Sequence, residues 1–210
     1  MLTPIEEAKF KDLKDKCREL RVPAPPEIMI GLRVQDKAGM LIFDDIQRGH
    51  SWLRNFWNFA YMMMVGSSLG STYEAGSLAG ADLAGTPYWP IDINASWSAI
   101  NVGTSDAAWS VEQYALGGKI ASGNGAGQLL ASALVDSGSA YASKTWTRTV
   151  YSIFNNNSGN SITIKETGLC AVSGYLPLLE RSVLSPTVAV PNGAQLTVTY
   201  EISMDFSAID

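Results

Sequence analysis

A strict alternation of apolar and polar residues marks the C-terminal part of the chain. Between residues 195 and 206 every second position is apolar: Leu196, Val198, Tyr200, Ile202, Met204 and Phe206. A period of two over so long a run predicts a strand with one buried face. The preceding Pro191-Asn192-Gly193 supplies turn residues, as expected for a connection between two strands.

Shorter runs rich in β-branched and aromatic residues recur upstream of this strand. They predict strands at residues 88–97, 100–102, 129–135, 144–155, 161–166, 169–172, 178–184 and 187–190. No amphipathic helix separates these runs, so a parallel α/β sheet is disfavoured. The pattern predicts a mainly β chain, folded as an antiparallel β-sandwich of jelly-roll-like type.

The first segment has the pattern of a helix with one apolar stripe. Thr3 and Glu6 fit a capping box around Pro4, and Pro23 follows the helix. Spacings of three, four and three place four residues on the stripe: Phe10, Leu13, Cys17 and Leu20. The stripe is expected to dock either on the body of the chain or on a neighbouring subunit, and its residues are candidate subunit contacts.

Two β-prone runs at residues 28–34 and 40–46 flank a glycine-containing turn and predict a hairpin. Together with the helix, this hairpin makes residues 1–46 a predicted N-terminal arm. Residues 47–210 are then the predicted sandwich domain.

Two further features are predicted inside that domain. Residues 51–65 form a predicted helix that is apolar nearly all round, which indicates that other groups surround it. Its candidate subunit-contact residues are Trp52, Phe56, Phe59, Met62 and Met63. Residues 66–85 are spaced by glycines and predict an extended arm able to thread between subunits.

The composition narrows the classes of partner. Hydrophobic residues make up 46% of the chain and charged residues only 17%, below the roughly 25% of an average domain. Part of the surface is therefore expected to be buried against other subunits. A net charge of −5 disfavours a nucleic-acid partner. With no basic and apolar leader and no long apolar run, we expect a protein made in a cytoplasm without membrane insertion.

Residues that carry chemistry are scarce. His50 is the only histidine, so at most one Ser–His or Cys–His triad is available, and no zinc or other cofactor site is predicted. The two cysteines favour free thiols, although counting leaves a disulfide open. Glu166 and Glu180 are conceivable as a glycosidase pair, but Glu166 is better interpreted as a structural carboxylate that accepts backbone N–H bonds. We therefore expect no enzyme.

Tryptophans on the predicted β-scaffold are the remaining candidates for binding. Indole faces on a sheet can stack on sugar rings, and they can equally fill the core or an interface. The candidate glycan-stacking residues are Trp89, Trp97, Trp109 and Trp146.

Several stretches between residues 48 and 204 resemble tailed-bacteriophage virion proteins of the tail, fibre or decoration type. They are HSWLRNFWN at 50–58, VGTSD at 102–106, YAL at 114–116, FNNNSG at 154–159, ITIKETGL at 162–169, LERSVL at 179–184 and VPNGAQLTVTY at 190–200. These are signatures of turns and strands, and the resemblance brings no catalytic residue with it.

The resemblance implies a structural component of a phage virion, repeated in a symmetric oligomer. Its expected partners are copies of itself and other virion proteins, at the tail, the neck or the capsid surface. The alternative is a receptor- or glycan-binding β-sandwich module on the virion surface, whose partner is a host-surface glycan.

Overall fold

The structure, a computed structural model, describes residues 4–50, 52–57, 60, 100–170 and 178–209. Its elements are α1 (Pro4–Leu20), β1 (Glu27–Gln35), β2 (Leu41–Arg48), β3 (Ile100–Gly103), β4 (Leu130–Ala131), β5 (Val135–Ala142), β6 (Thr145–Asn155), β7 (Ile162–Cys170), β8 (Leu178–Val190), β9 (Gln195–Asp205) and a 3-10 turn (Ser207–Ile209). The predicted strand at 88–97 and the glycine-spaced arm at 66–85 lie outside the described residues.

The strands form two antiparallel sheets. In the first sheet the order is β2–β1–β9–β6, and both β4 and β5 pair with β6. In the second sheet the order is β3–β7–β8. One hydrophobic core contains residues of both sheets, among them Ile30, Phe154, Ile164, Val188 and Val198. The predicted mainly β fold, with two antiparallel sheets and an N-terminal helix, is confirmed.

The β1–β2 hairpin forms where the sequence predicts it, but it is part of the sandwich. Strand β1 lies between β2 and β9 and pairs with both along its length. Its alternate residues Ile28, Ile30, Leu32 and Val34 are buried in the common core. Pairing with β9 therefore joins β1, which lies in the segment predicted as an arm, to the first sheet.

Helix α1 begins at Pro4, and its C-terminal end has the geometry of a Schellman motif. Arg21 adopts a positive φ of 54°. Its N–H donates to the carbonyl of Arg18, and the N–H of Val22 donates to the carbonyl of Cys17. These bonds satisfy carbonyls at the end of the helix just before the proline-rich segment.

Only some residues of the apolar stripe of α1 contact the body of the chain, and the others face solvent. Cys17 is buried, and the Phe10 ring lies 4.4 Å from the Arg48 guanidinium at the end of β2. An ion pair between Lys14 and Glu27 connects the helix to the start of β1 as well. Leu13 is partly exposed and Leu20 is 70% exposed, so only part of the stripe packs on the described body.

Residues 52–57 connect the hairpin to the second sheet. Trp52 forms an antiparallel bridge with Glu180 of β8, and the Leu53 N–H donates to the Leu179 carbonyl. Residues 54–57 form a helical turn. Of the predicted helix at 51–65, residues 51, 58–59 and 61–65 lie outside the described part of the chain.

A bulge in β7 decides which side chains of the second sheet face the core. The pairing register with β8 shifts between Ile164 and Glu166. Ile164 packs in the core before the bulge, and Thr167 and Leu169 face the core after it. Because side chains alternate along a strand, Glu166 is turned to the outer face, away from the first sheet.

Candidate functional site

The outer face of the second sheet holds a fully buried ion pair. Arg181 Nε donates to Glu166 Oε2 at 2.6 Å, and both side chains are completely enclosed. Arg181 Nη1 also donates to the Ala107 carbonyl at 3.0 Å and to Gln113 Oε1 at 3.2 Å. The pair is therefore covered by residues 104–118, which we call the covering loop.

The Glu166 carboxylate also fixes the far end of the covering loop. It accepts hydrogen bonds from the backbone N–H groups of Gly118, at 2.7 Å, and Gly117, at 3.3 Å. A side chain at Gly103 of the neighbouring β3 would collide with this carboxylate, which explains a glycine there. The prediction that Glu166 is a structural carboxylate accepting backbone N–H bonds is confirmed. Sequence reasoning did not identify its partner Arg181.

A second polar cluster lies between the two sheets, and we call it the carboxyl network. The Tyr200 hydroxyl of β9 lies 2.9 Å from both Glu180 Oε2 and Thr167 Oγ1. The Ser182 hydroxyl donates to Glu180 Oε1, and the His50 backbone N–H donates to Ser182 Oγ at 3.0 Å. The network thus links both sheets to the end of the β1–β2 hairpin.

Burial raises the pKa of Glu180 to about 7, although hydrogen bonds from Ser182 and Tyr200 and the charge of Arg181 act in the opposite direction. The Tyr200 hydroxyl has one proton and can donate to only one of its two neighbours. A protonated Glu180 can donate to Tyr200, which is then able to donate to Thr167. The neutral acid therefore satisfies the whole chain of hydrogen bonds.

Glu166 and Glu180 do not form a pair of facing carboxylates. Glu166 is bonded to the covering loop on the outer face, whereas Glu180 is bonded to Tyr200 between the sheets. The arrangement that a glycosidase needs, two carboxyl groups on either side of one bond, is absent for these two residues.

A cleft of about 550 Å³ lies between α1 and the sandwich. Its aromatic lining consists of Phe10, Trp52, Trp57 and Trp109, and we call it the aromatic cleft. Trp57 is nearly half exposed, whereas Trp52 is buried and donates its indole N–H to the Pro26 carbonyl at 2.8 Å. The His50 ring lies nearly parallel to Trp109, with centroids 6.4 Å apart. This volume is within the range of small-molecule pockets, roughly 300–1,000 Å³.

Exposed apolar side chains cluster on the hairpin. Met40 is 67% exposed, Leu41 51%, Ile42 49% and Ile46 65%, and we call these four residues the hairpin patch. Among the described residues, β2 is an edge strand, paired with β1 on one side only. The patch therefore lies on an edge of the first sheet that other chains can approach.

The candidate subunit-contact residues occupy different environments. Trp52 lies in the core of its own chain, and Phe56 packs against that core with its ring 3.9 Å from Trp52. Phe59, Met62 and Met63 fall outside the described residues. The hairpin patch was not identified as a contact in the sequence, where its four apolar residues all follow the predicted turn.

The two candidate glycan-stacking residues within the described ranges occupy different environments. Trp109 lines the aromatic cleft, and Trp146 on β6 packs against the core. Trp89 and Trp97 lie outside the described residues. Of the two that the structure describes, only Trp109 lies at the cleft, and Trp57 lines that cleft with it.

Both cysteines are buried free thiols, and burial raises the pKa of Cys170 to about 11. Within the described ranges, no group of three or more His, Cys, Asp or Glu side chains is placed to hold a metal ion. In that same portion of the chain, no helix combines the length and apolarity needed to cross a bilayer. Comparisons with family models, curated proteins and solved structures found no match to this chain.

Proposed function

We propose that the chain is a non-catalytic structural subunit that assembles with copies of itself through the hairpin patch. The observation that carries this proposal is the exposure of Leu41, Ile42 and Ile46 on an edge strand, with the exposed Met40 directly before it. Natural proteins usually protect sheet edges, and contiguous apolar patches generally mark contact sites.

The low charge content supports the same proposal. With 17% charged residues, the chain has few groups with which to solvate its surface, and a subunit interface removes apolar area from water. Asp44, on the outer side of β2 beside Ile46, favours a defined contact over unlimited edge pairing, because a misplaced copy would bring carboxylates together.

The virion is the proposed location of the assembly, with other virion proteins as further partners. Support for it is the resemblance of residues 48–204 to tailed-phage virion proteins. Mass spectrometry of purified particles tests the location: the chain is expected at a fixed copy number, and its absence from particles would contradict the proposal.

The variant carrying Ile42→Lys and Ile46→Lys is expected to be a folded monomer, because a contact through the patch would have to bury the added lysine charges. Light scattering after size exclusion measures the mass, with 22.6 kDa expected for the variant and a multiple of it for the parent chain. Tyr141→Lys is the matched control, since Tyr141 is 65% exposed on β5 and lies outside the patch. An equal mass for the parent and the double variant would contradict the proposal.

Glycan binding is a second candidate function, favoured by the aromatic cleft. The partly exposed Trp57 and Trp109 are the side chains available for stacking on a sugar ring. Titration with maltotriose, cellotriose or chitotriose is expected to change tryptophan fluorescence in a saturable way. Trp57→Ala is expected to abolish the change and Trp146→Phe to preserve it. No saturable response to any of the three sugars, or one unaffected by Trp57→Ala, would rule this function out.

A further inference from the structure

The direction of the main-chain groups on β2 follows from its pairing with β1. The Gly49 N–H donates to the Ile28 carbonyl at 2.8 Å, in register with the pair Met29–Arg48. Hydrogen-bonded and non-hydrogen-bonded pairs alternate along an antiparallel ladder. The N–H and C=O groups of Asp44, Ile46 and Arg48 therefore point away from β1, toward the free edge.

The side chains of these three residues share the outer face of the sheet. Ile46 pairs with Gly31 and Asp44 with Arg33, whereas Asp45 pairs with the buried Leu32. Because side chains alternate along a strand, Asp44, Ile46 and Arg48 follow one another along the outer face of β2. Arg48 is held at the strand end by the Phe10 ring and by Glu27 Oε2, 3.3 Å away.

We propose that β2 pairs antiparallel with β2 of a second copy of this chain, about a twofold axis at Ile46. In this register Ile46 lies opposite its own copy, and each Asp44 lies opposite Arg48 of the other subunit. Asp45 lies opposite Gln47, which carries no charge. The inference rests on the proposed self-assembly and names the contact that produces it.

Electrostatics selects this register over the two that are centred on the acids. Moving the axis to Asp44 places two Asp44 carboxylates opposite each other, and moving it to Asp45 does the same for Asp45. Like charges directly opposite on paired strands are destabilising. The two acids therefore disfavour the registers centred on them, and the two pairs of Asp44 with Arg48 favour the register centred on Ile46. The twofold symmetry makes the contact self-complementary.

A cysteine at the axis tests the geometry. Opposite residues of a hydrogen-bonded antiparallel pair have Cα atoms about 5.5 Å apart, within the roughly 4.4–6.8 Å that a disulfide spans. Ile46→Cys is expected to form an interchain disulfide under mild oxidation. Ile42→Cys on the same strand is the control and is expected to stay largely reduced. Cys17 and Cys170 do not interfere, because both are buried.

Charge exchange provides an independent test. Asp44→Arg and Arg48→Glu are each expected to weaken self-association about tenfold, because each places like charges opposite each other twice per dimer. Mixing the two variants is expected to restore association, since the hetero-pair has opposite charges at both positions.

The outcomes separate this inference from the proposed function. A chain that self-associates but forms as much disulfide at position 42 as at position 46, with no rescue on mixing, would overturn the register and leave assembly standing. A parent chain that stays monomeric would overturn both.

Discussion

Replacing Glu166 by glutamine is expected to lower the free energy of unfolding by about 3–5 kcal/mol. The change leaves the Arg181 guanidinium enclosed without its counter-charge. It also weakens the acceptor for the backbone N–H groups of Gly117 and Gly118. Urea unfolding followed by circular dichroism measures the loss.

Two further variants show whether the buried charge is the cause. Arg181→Met combined with Glu166→Gln is expected to recover part of the loss, because it removes the unpaired charge. Asp106→Asn removes an exposed ion pair with Lys165 that joins the same loop to the same strand, and little change is expected. If Glu166→Gln unfolds at the same urea concentration as the parent chain, the pair does not hold the loop.

Stability is expected to fall by about 2 kcal/mol between about pH 5.5 and about pH 8 through Glu180 alone. Burial raises the folded-state pKa of this carboxyl from the ordinary 4.5 to about 7. The folded chain therefore retains a proton that the unfolded chain loses. The contribution of Glu180 to stability is complete below pH 4.5 and is lost as the pH rises through 7, because the cost of burying the ionised carboxylate exceeds what its hydrogen bonds return. Urea unfolding at a series of pH values measures the slope.

Glu180→Gln is the decisive control for this pH dependence. The amide imitates the neutral acid, since it can accept from Ser182 and donate to Tyr200, and its stability is expected to stay nearly constant over the same range. His50→Gln is the matched variant, because it removes the only histidine of the chain, and it is expected to keep the slope. A slope that disappears in His50→Gln and persists in Glu180→Gln would assign the effect to the histidine.

Long strands with one solvated face were predictable from the sequence. The alternation at 195–206 predicts a strand that corresponds to β9, in which Leu196, Val198 and Tyr200 are buried. The β1–β2 hairpin also forms around its predicted turn. Strand β5 was missed because its sequence, rich in serine, alanine and glycine, has no apolar alternation, and most of its residues are exposed. A strand without a buried face leaves no periodic signal.

Strands β7 and β8 were each predicted as two pieces. The pair Thr167-Gly168 suggests a turn, but both residues lie within β7. The position is a glycine because a side chain there would collide with Leu116 and Leu178. The interruption at Ser185-Pro186 in β8 is bridged by Gln47, which binds the Ser185 N–H and the Pro186 carbonyl. In both strands, continuity through the interruption depends on tertiary contacts, and a single sequence does not show these.

The candidate site was only partly predictable for the same reason. Glu166 was identified as structural from its neighbours in the sequence, whereas the pairing with Arg181 depends on the β7 bulge. The adjacent Glu180 and Arg181 face opposite sides of the sheet, and the sequence does not say which faces the core. The hairpin patch became visible only when β2 was placed at the edge.

Hydrogen–deuterium exchange of the parent chain at rising protein concentration tests the proposed assembly most directly. If copies associate through β2, the amides of Asp44, Ile46 and Arg48 become protected as the concentration rises, while those of β5 do not change. Equal exchange of residues 41–48 at all concentrations would contradict the proposed contact, even if the mass of the particle increased.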